Sequence, residues 1–249
     1  FKAGSGFVAL RRPMPMSLPE NYIVRFTISG EIPTNSLEIK LLDRTGDNVW
    51  WVNQRAREFS STPITETLRR RHFSFAWGPD PRTPLSEISA IEFALVSSSG
   101  GEGEITISDV SIEPRPVPQP PQVPRLVGAR GTIDESAIAA LISGPAQIAW
   151  RAPAGDADLT IDLTATREFG GVIATFDPAA RPRTLIVSSG TAEGGWAELG
   201  RSDVPASGRV YLPLRDAEAS SLRVTARGAG DGGMHLQTLE IAPLAFGAT

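Results

Sequence analysis

Six prolines crowd into eleven residues at Pro114-Arg-Pro-Val-Pro-Gln-Pro-Pro-Gln-Val-Pro124, near the middle of a 249-residue chain. Proline has no backbone N–H and a fixed φ, so such a run can neither join a sheet interior nor propagate a helix. It favours extended polyproline II backbone and acts as a semi-rigid spacer. The chain is therefore expected to divide into two modules, residues 1–113 and 126–249, joined by a Pro-rich linker over 114–125. Each module has the length of an ordinary single domain.

Both modules read as strands. In the first, Tyr22-Ile28, Leu37-Leu42, Val49-Asn53, His72-Trp77, Ile91-Val96 and Glu104-Ile112 alternate or run apolar between turn residues. In the second, Leu159-Leu163, Gly171-Phe176, Thr184-Ser188, Arg209-Leu214, Ser221-Ala226 and Leu236-Ile241 do the same. Helical signal is confined to Asp134-Ile142, with Asp134 as its cap. Many short strands with few helices predict an all-β chain of two antiparallel β-sandwich domains.

Within the first module, Leu37-Glu-Ile-Lys-Leu-Leu-Asp43 and Val49-Trp-Trp51 flank a tight polar turn. Successive strand side chains point to opposite faces, so Trp50 and Trp51 cannot share one core. One indole faces inward; the other lies on the opposite face or rim, where a large ring calls for a cover or a ligand. By the same alternation Phe73, Phe75 and Trp77 share one face. The face opposite Phe73, Phe75, Leu37, Ile39 and Ile91 then carries Arg25, Glu38, Lys40, His72, Glu92 and one of the two tryptophans. Trp150 and Trp196 in the second module are expected in its core.

Composition removes several classes of function. Charged residues make up 21% of the chain and the formal net charge is −4, so no strong field points to nucleic acid or a membrane surface. The single basic run, Arg69-Arg-Arg71, has no aromatic neighbours of the kind a nucleic-acid patch uses. The absence of cysteine excludes disulfides, thiolate metal sites and a Cys nucleophile. With only His72 and His235, one per module, neither a His metal cluster nor a Ser-His-Asp triad has support. Gly100-Gly-Glu-Gly103 leads into a strand, not a helix, and is not a phosphate loop. No apolar run approaches the roughly 18 residues of a membrane span. The chain opens at Phe1 with no visible signal peptide, and Phe1-Leu10 reads as chain already inside a domain, as in a piece of a longer protein.

Five marks in the second module form an ordered set: Trp150, Leu159-Thr-Ile-Asp-Leu163, Arg167-Glu-Phe-Gly-Gly-Val172, Ser188-Ser-Gly with Gly195-Trp196, and Ser221-Leu-Arg-Val224. Over about 120 residues this resembles the discoidin-like, coagulation-factor C-type β-sandwich domains. The disulfide usual in animal members is missing, and no hydrophobic spike loops are evident. The resemblance implies a ligand end at the loops near Asp134-Glu135, Gly155-Asp156, Asp177-Arg183 and Gly230-His235. The first module carries Leu37-Asp43, Gly46-Asp-Asn-Val-Trp-Trp51, Phe75-Ala-Trp-Gly-Pro79 and Gly101-Glu-Gly-Glu-Ile-Thr-Ile-Ser-Asp-Val110. It is similar to galactose-binding-like jelly rolls. Members of that group begin with a further strand, which the resemblance implies is truncated here, and Asp109 takes the place of a structural Ca2+ ligand. The pair resembles the accessory region of large bacterial glycan-processing proteins. That implies carbohydrate as partner, an attached catalytic domain, and a secreted or periplasmic setting.

The expected function is a non-catalytic carbohydrate-binding tandem module. Its candidate ligand-binding residues are Trp50, Trp51, Arg25, Glu38, Lys40 and His72, and its candidate metal ligand is Asp109. Sugar-binding sites use aromatic rings as platforms and a few polar groups to order hydroxyls. Two alternatives stay open: sandwiches that pack on a partner without a ligand, or the front of an enzyme whose chemistry lies outside this segment.

Overall fold

The computed structural model describes residues 2–247. They form two compact units that divide between Val117 and Pro118. Residues 115–124 belong to no strand or helix. Every strand pairing in both units is antiparallel.

The first unit is a jelly-roll sandwich of eight strands: β1 (Phe7–Ser17), β2 (Tyr22–Glu31), β3 (Asn35–Asp43), β4 (Val49–Arg57), β5 (Ile64–Arg69), β6 (Ser74–Trp77), β7 (Glu87–Val96) and β8 (Glu104–Pro114). Five strands in the order β1-β7-β3-β4-β6 face three in the order β5-β2-β8. Alternation drives the layering: Leu37, Ile39 and Leu41 of β3, with Ile91 and Phe93 of β7, meet Val24, Phe26 and Ile28 of β2 in one buried cluster. Phe26 and Phe93 join the two sheets edge to face at 5.1 Å.

Strand β1 was not anticipated. Pro13 and Pro15 break its pattern, yet it pairs with β7 from Phe7 opposite Val96 to Ser17 opposite Glu87. An edge strand tolerates proline because one side of its ladder is unused.

The second unit comprises β9 (Arg125–Ala129), a 3-10 helix (Glu135–Ile142), β10 (Trp150–Ala152), β11 (Gly155–Phe176), β12 (Thr184–Gly190), β13 (Trp196–Asp203), β14 (Arg209–Ala229), β15 (Met234–Ala242) and a final 3-10 turn (Leu244–Gly247). Its two long strands pass from one layer of the sandwich to the other. Before its bend β11 pairs with β9 and the trailing half of β14, which continues to β12 and β13. Beyond the bend β11 pairs with β15 and the leading half of β14. Thr164 (φ 61°) and Asp216 (φ 57°) sit at the corners, in left-handed backbone that breaks the ladder and turns the strand. Leu159, Ile161, Phe169, Val172, Leu185, Val187, Leu222 and Val224 fill the core between the layers. The helical segment is capped as expected, the Asp134 carboxylate accepting from the Ser136 N–H at 3.1 Å, and it buries Ile138 and Leu141.

Candidate functional site

The outer face of the five-stranded sheet holds one line of residues abreast. Arg11 of β1 lies opposite Glu92 of β7, Glu92 opposite Lys40 of β3, Lys40 opposite Trp51 of β4, and Trp51 opposite Ser74 of β6. Trp50 turns inward and packs edge to face on Phe75 at 5.4 Å. The neighbouring indoles thus point to opposite faces, and Trp51 is half-buried on the outer one.

Trp77 also lies on this outer face, contrary to the strict alternation expected of residues 73–77. A bulge is responsible: Trp50 pairs with Phe75 while Val49 pairs with Trp77, leaving Ala76 as an extra residue. Phe75 stays inside and Trp77 flips out. Its ring meets Trp51 at 5.8 Å with the planes 80° apart, forming an aromatic corner, and Trp77 is 47% exposed.

Beside this corner lies a nearly sealed charge cluster. Lys40 and Glu92 are each only 7% exposed. The Lys40 ammonium donates to Glu92 at 3.1 Å and pairs with Glu38 at 3.0 Å, and Arg11 pairs with the other Glu92 oxygen at 2.7 Å. The rings of Trp77 and Phe7 approach Lys40 Nζ at 5.4 and 5.8 Å, within cation–π reach. Two cations balance two anions, so the cluster is polar and shaped but carries no net charge of its own. Asn53, opposite Glu38, adds an amide whose oxygen is buried without a hydrogen-bond partner.

Burial pushes the Glu92 carboxyl toward the neutral form, but hydrogen bonds from Arg11 and Lys40, together with their charges, overcome this and hold it below its ordinary 4.5. A carboxyl with a lowered folded-state pKa contributes stability above its unfolded value, and that contribution is lost as pH falls through the folded value. We expect unfolding free energy to begin falling near pH 4.5 and to continue falling below it. Glu92→Gln should flatten that slope in urea melts between pH 3 and 6; an unchanged slope would refute the assignment.

Two expected members of this face lie elsewhere. Arg25 belongs to β2 in the three-stranded sheet, where its guanidinium lies 3.4 Å from Glu113. His72 sits in a 3-10 turn before β6, its Nδ1 accepting from the Arg69 N–H at 3.1 Å. Arg25 is kept from Lys40 by the sandwich, since β2 belongs to the opposite sheet, and His72 by the 3-10 turn, which ends before β6 begins. Glu38, Lys40 and Trp51 do come together, joined by Arg11, Glu92, Trp77 and Phe7.

Asp109 occupies left-handed backbone (φ 52°) in a bulge of β8 and accepts from the Ser108 hydroxyl at 2.8 Å. Among the described residues no group of three or more His, Asp or Glu side chains converges to hold a metal. Calcium needs six to eight oxygens, several of them carboxylate, so the residues present do not fit a Ca2+ site. Asp43 is a turn hub: its carboxylate accepts from Thr45 Oγ1 at 2.8 Å, the Gly46 N–H at 2.7 Å and Asn48 Nδ2 at 2.8 Å. That is turn chemistry, with the acceptor sites already used. In the second unit Trp150 is fully buried, whereas Trp196 is half-buried at the start of β13, outside the core cluster.

No family model matches this chain, and no curated protein matches it. Among solved structures, a chitosan-binding module of a chitosanase/glucanase from Paenibacillus sp. IK-5 is 15% identical, with 37% of this chain and 73% of that one covered and a TM-score of 0.32. The module CBM32-3 of a family 31 glycoside hydrolase from Clostridium perfringens is 16% identical, covering 47% and 88%, with a TM-score of 0.35. An allantoicase is 16% identical, covering 86% and 74%, with a TM-score of 0.31. Likenesses this slight carry no inference about what this chain binds.

Proposed function

We propose that the first unit binds a neutral carbohydrate on the outer face of its five-stranded sheet, and that this segment is non-catalytic. The Trp51–Trp77 corner carries the reading. Two perpendicular indoles, one of them 47% exposed, offer apolar platforms to a pyranose ring beside a row of fixed charges. Because Lys40, Glu38, Glu92 and Arg11 neutralise one another, they order sugar hydroxyls without selecting for ligand charge. Removing an indole should weaken binding at least about tenfold, or roughly 1.4 kcal/mol. Calorimetry on a glycan identified by array screening tests this: Trp77→Ala and Trp51→Ala should each lose affinity, and Trp50→Ala should retain it in the protein that remains folded. Equal affinity for all three would overturn the proposal.

One observation favours a second reading. Phe7, Val8 and Leu10 stand exposed along the free edge of β1, the kind of apolar edge that native proteins usually cover. In that reading the unit packs on a partner or an attached catalytic domain of a glycan-processing protein. A secreted or periplasmic setting, and a discoidin-like identity for the second unit, belong to the same proposal.

A further inference from the structure

We infer that the second unit has its own site for a carboxylate-bearing sugar, centred on Arg223. This site lies on the outer face of the layer β13-β12-β14-β11 and does not depend on the first-unit reading. The Arg223 guanidinium stacks on the Trp196 ring at 4.2 Å. It makes no hydrogen bond and no ion pair among the described residues. Its Nε is buried without a partner, while the two terminal nitrogens reach the surface. A guanidinium normally satisfies its rigid fork of donors, and leaving it unpaired beneath a ring is costly.

The neighbours explain why nothing in the chain meets that need. Arg223 lies abreast of Ser188 on one side and Thr160 on the other. Glu198, one strand further along the same row, is held bidentately by Arg201 at 2.5 and 2.6 Å. Asp158 accepts from Thr225 at 2.5 Å, and Asp162 from the Thr164 N–H at 2.7 Å. These acids bond to other groups and none pairs with Arg223, whereas the hydroxyls of Ser188 and Thr160 have no hydrogen-bond partner among the described residues and can donate. The patch therefore presents two free hydroxyls beside a guanidinium that no carboxylate of the described residues contacts. A planar carboxylate matches the two exposed donors of a stacked guanidinium, since both groups are flat and two-pronged. The hydroxyls and the indole suit the polyol body that carries it.

Gly190 lets the neighbouring strand's Ser221 approach closely at the edge of the stack. A Cβ there would lie 2.2 Å from Ser221 Oγ, and the Trp196 ring passes 4.0 Å from the same point.

The test uses the full chain and D-glucuronate, with glucose and inorganic phosphate as controls, followed by Trp fluorescence and calorimetry. Glucuronate should bind, weaken with added salt, and lose at least tenfold in affinity in Arg223→Lys, which keeps the charge but not the fork. Trp51→Ala should leave glucuronate binding unchanged, and Arg223→Lys should leave neutral-glycan binding unchanged, so failure here is distinguishable from failure in the first unit. Ser188→Ala and Thr160→Val retain the stack and should each weaken glucuronate severalfold, keeping the inference testable if the arginine variant misfolds. Equal affinity for glucose and glucuronate, binding of phosphate as tight as glucuronate, or no binding at millimolar concentration would each overturn it.

Discussion

Lys40→Ala should destabilise the first unit by about 3–5 kcal/mol, because it strips the shared partner from two nearly buried carboxylates. Lys40 sits between Glu38 and Glu92 at 3.0 and 3.1 Å, and the side chains of all three are at most 14% exposed. Without the ammonium, Glu38 has no cation left among the described residues and lies beside a Glu92 paired, among them, with Arg11 alone. Two like charges would then share a site that water scarcely reaches. The loss measures an orphaned charge, not the worth of the pair itself. Converting the cluster to Glu38→Gln, Lys40→Met and Glu92→Gln should therefore recover much of the stability, since well-packed neutral side chains often match a buried ion pair. Urea unfolding at pH 7 checks both. A loss below about 1 kcal/mol in Lys40→Ala would mean that water or neighbouring groups solvate the cluster.

The same row shows what the sequence could and could not reveal. The parity of Trp50 and Trp51 follows from strand geometry alone, and the structure places the two rings on opposite faces. So does the alternation that buries Leu37, Ile39 and Leu41 while leaving Glu38 and Lys40 outside. Trp77 was unreadable because one extra residue in β6 reverses its side, and nothing in Phe-Ala-Trp announces a bulge. Arg25 was not legible because alternation assigns a face within a strand but not which sheet the strand joins, and His72 because the strand starts only at Ser74, after a 3-10 turn that alternation does not signal. Arg11 and Phe7 stayed hidden in a segment whose prolines obscured an edge strand.

In the second unit the sequence suggested separate strands at 159–163 and 171–176, where β11 is continuous and bent. Thr164 supplies the bend in left-handed backbone, a conformation that a β-branched residue seldom adopts and that no pattern signals. Trp196 was expected in the core on residue type alone. Its position on the outer face, under Arg223, depends on the pairing of β12 with β13 and β14, which only the assembled sheet defines.

Trp150→Ala tests the core of that unit, with an expected loss of about 3–5 kcal/mol. The indole is fully buried, and its Nε1 donates to the Arg130 carbonyl at 2.9 Å. Around it the chain crosses on itself: the Thr132 N–H donates to Arg151 O at 2.9 Å, and the Arg151 N–H returns to Thr132 O at 2.7 Å. Removing the ring opens a cavity beneath this crossing and leaves a carbonyl unpaired. In a unit of this size the thermal midpoint should fall by roughly 10–20 °C. Trp150→Phe separates the two contributions. It keeps most of the apolar volume and forfeits the hydrogen bond, so it should cost about 1–3 kcal/mol. If the phenylalanine variant were as unstable as the alanine one, the hydrogen bond to Arg130, and not the packing of the ring, would anchor the crossing.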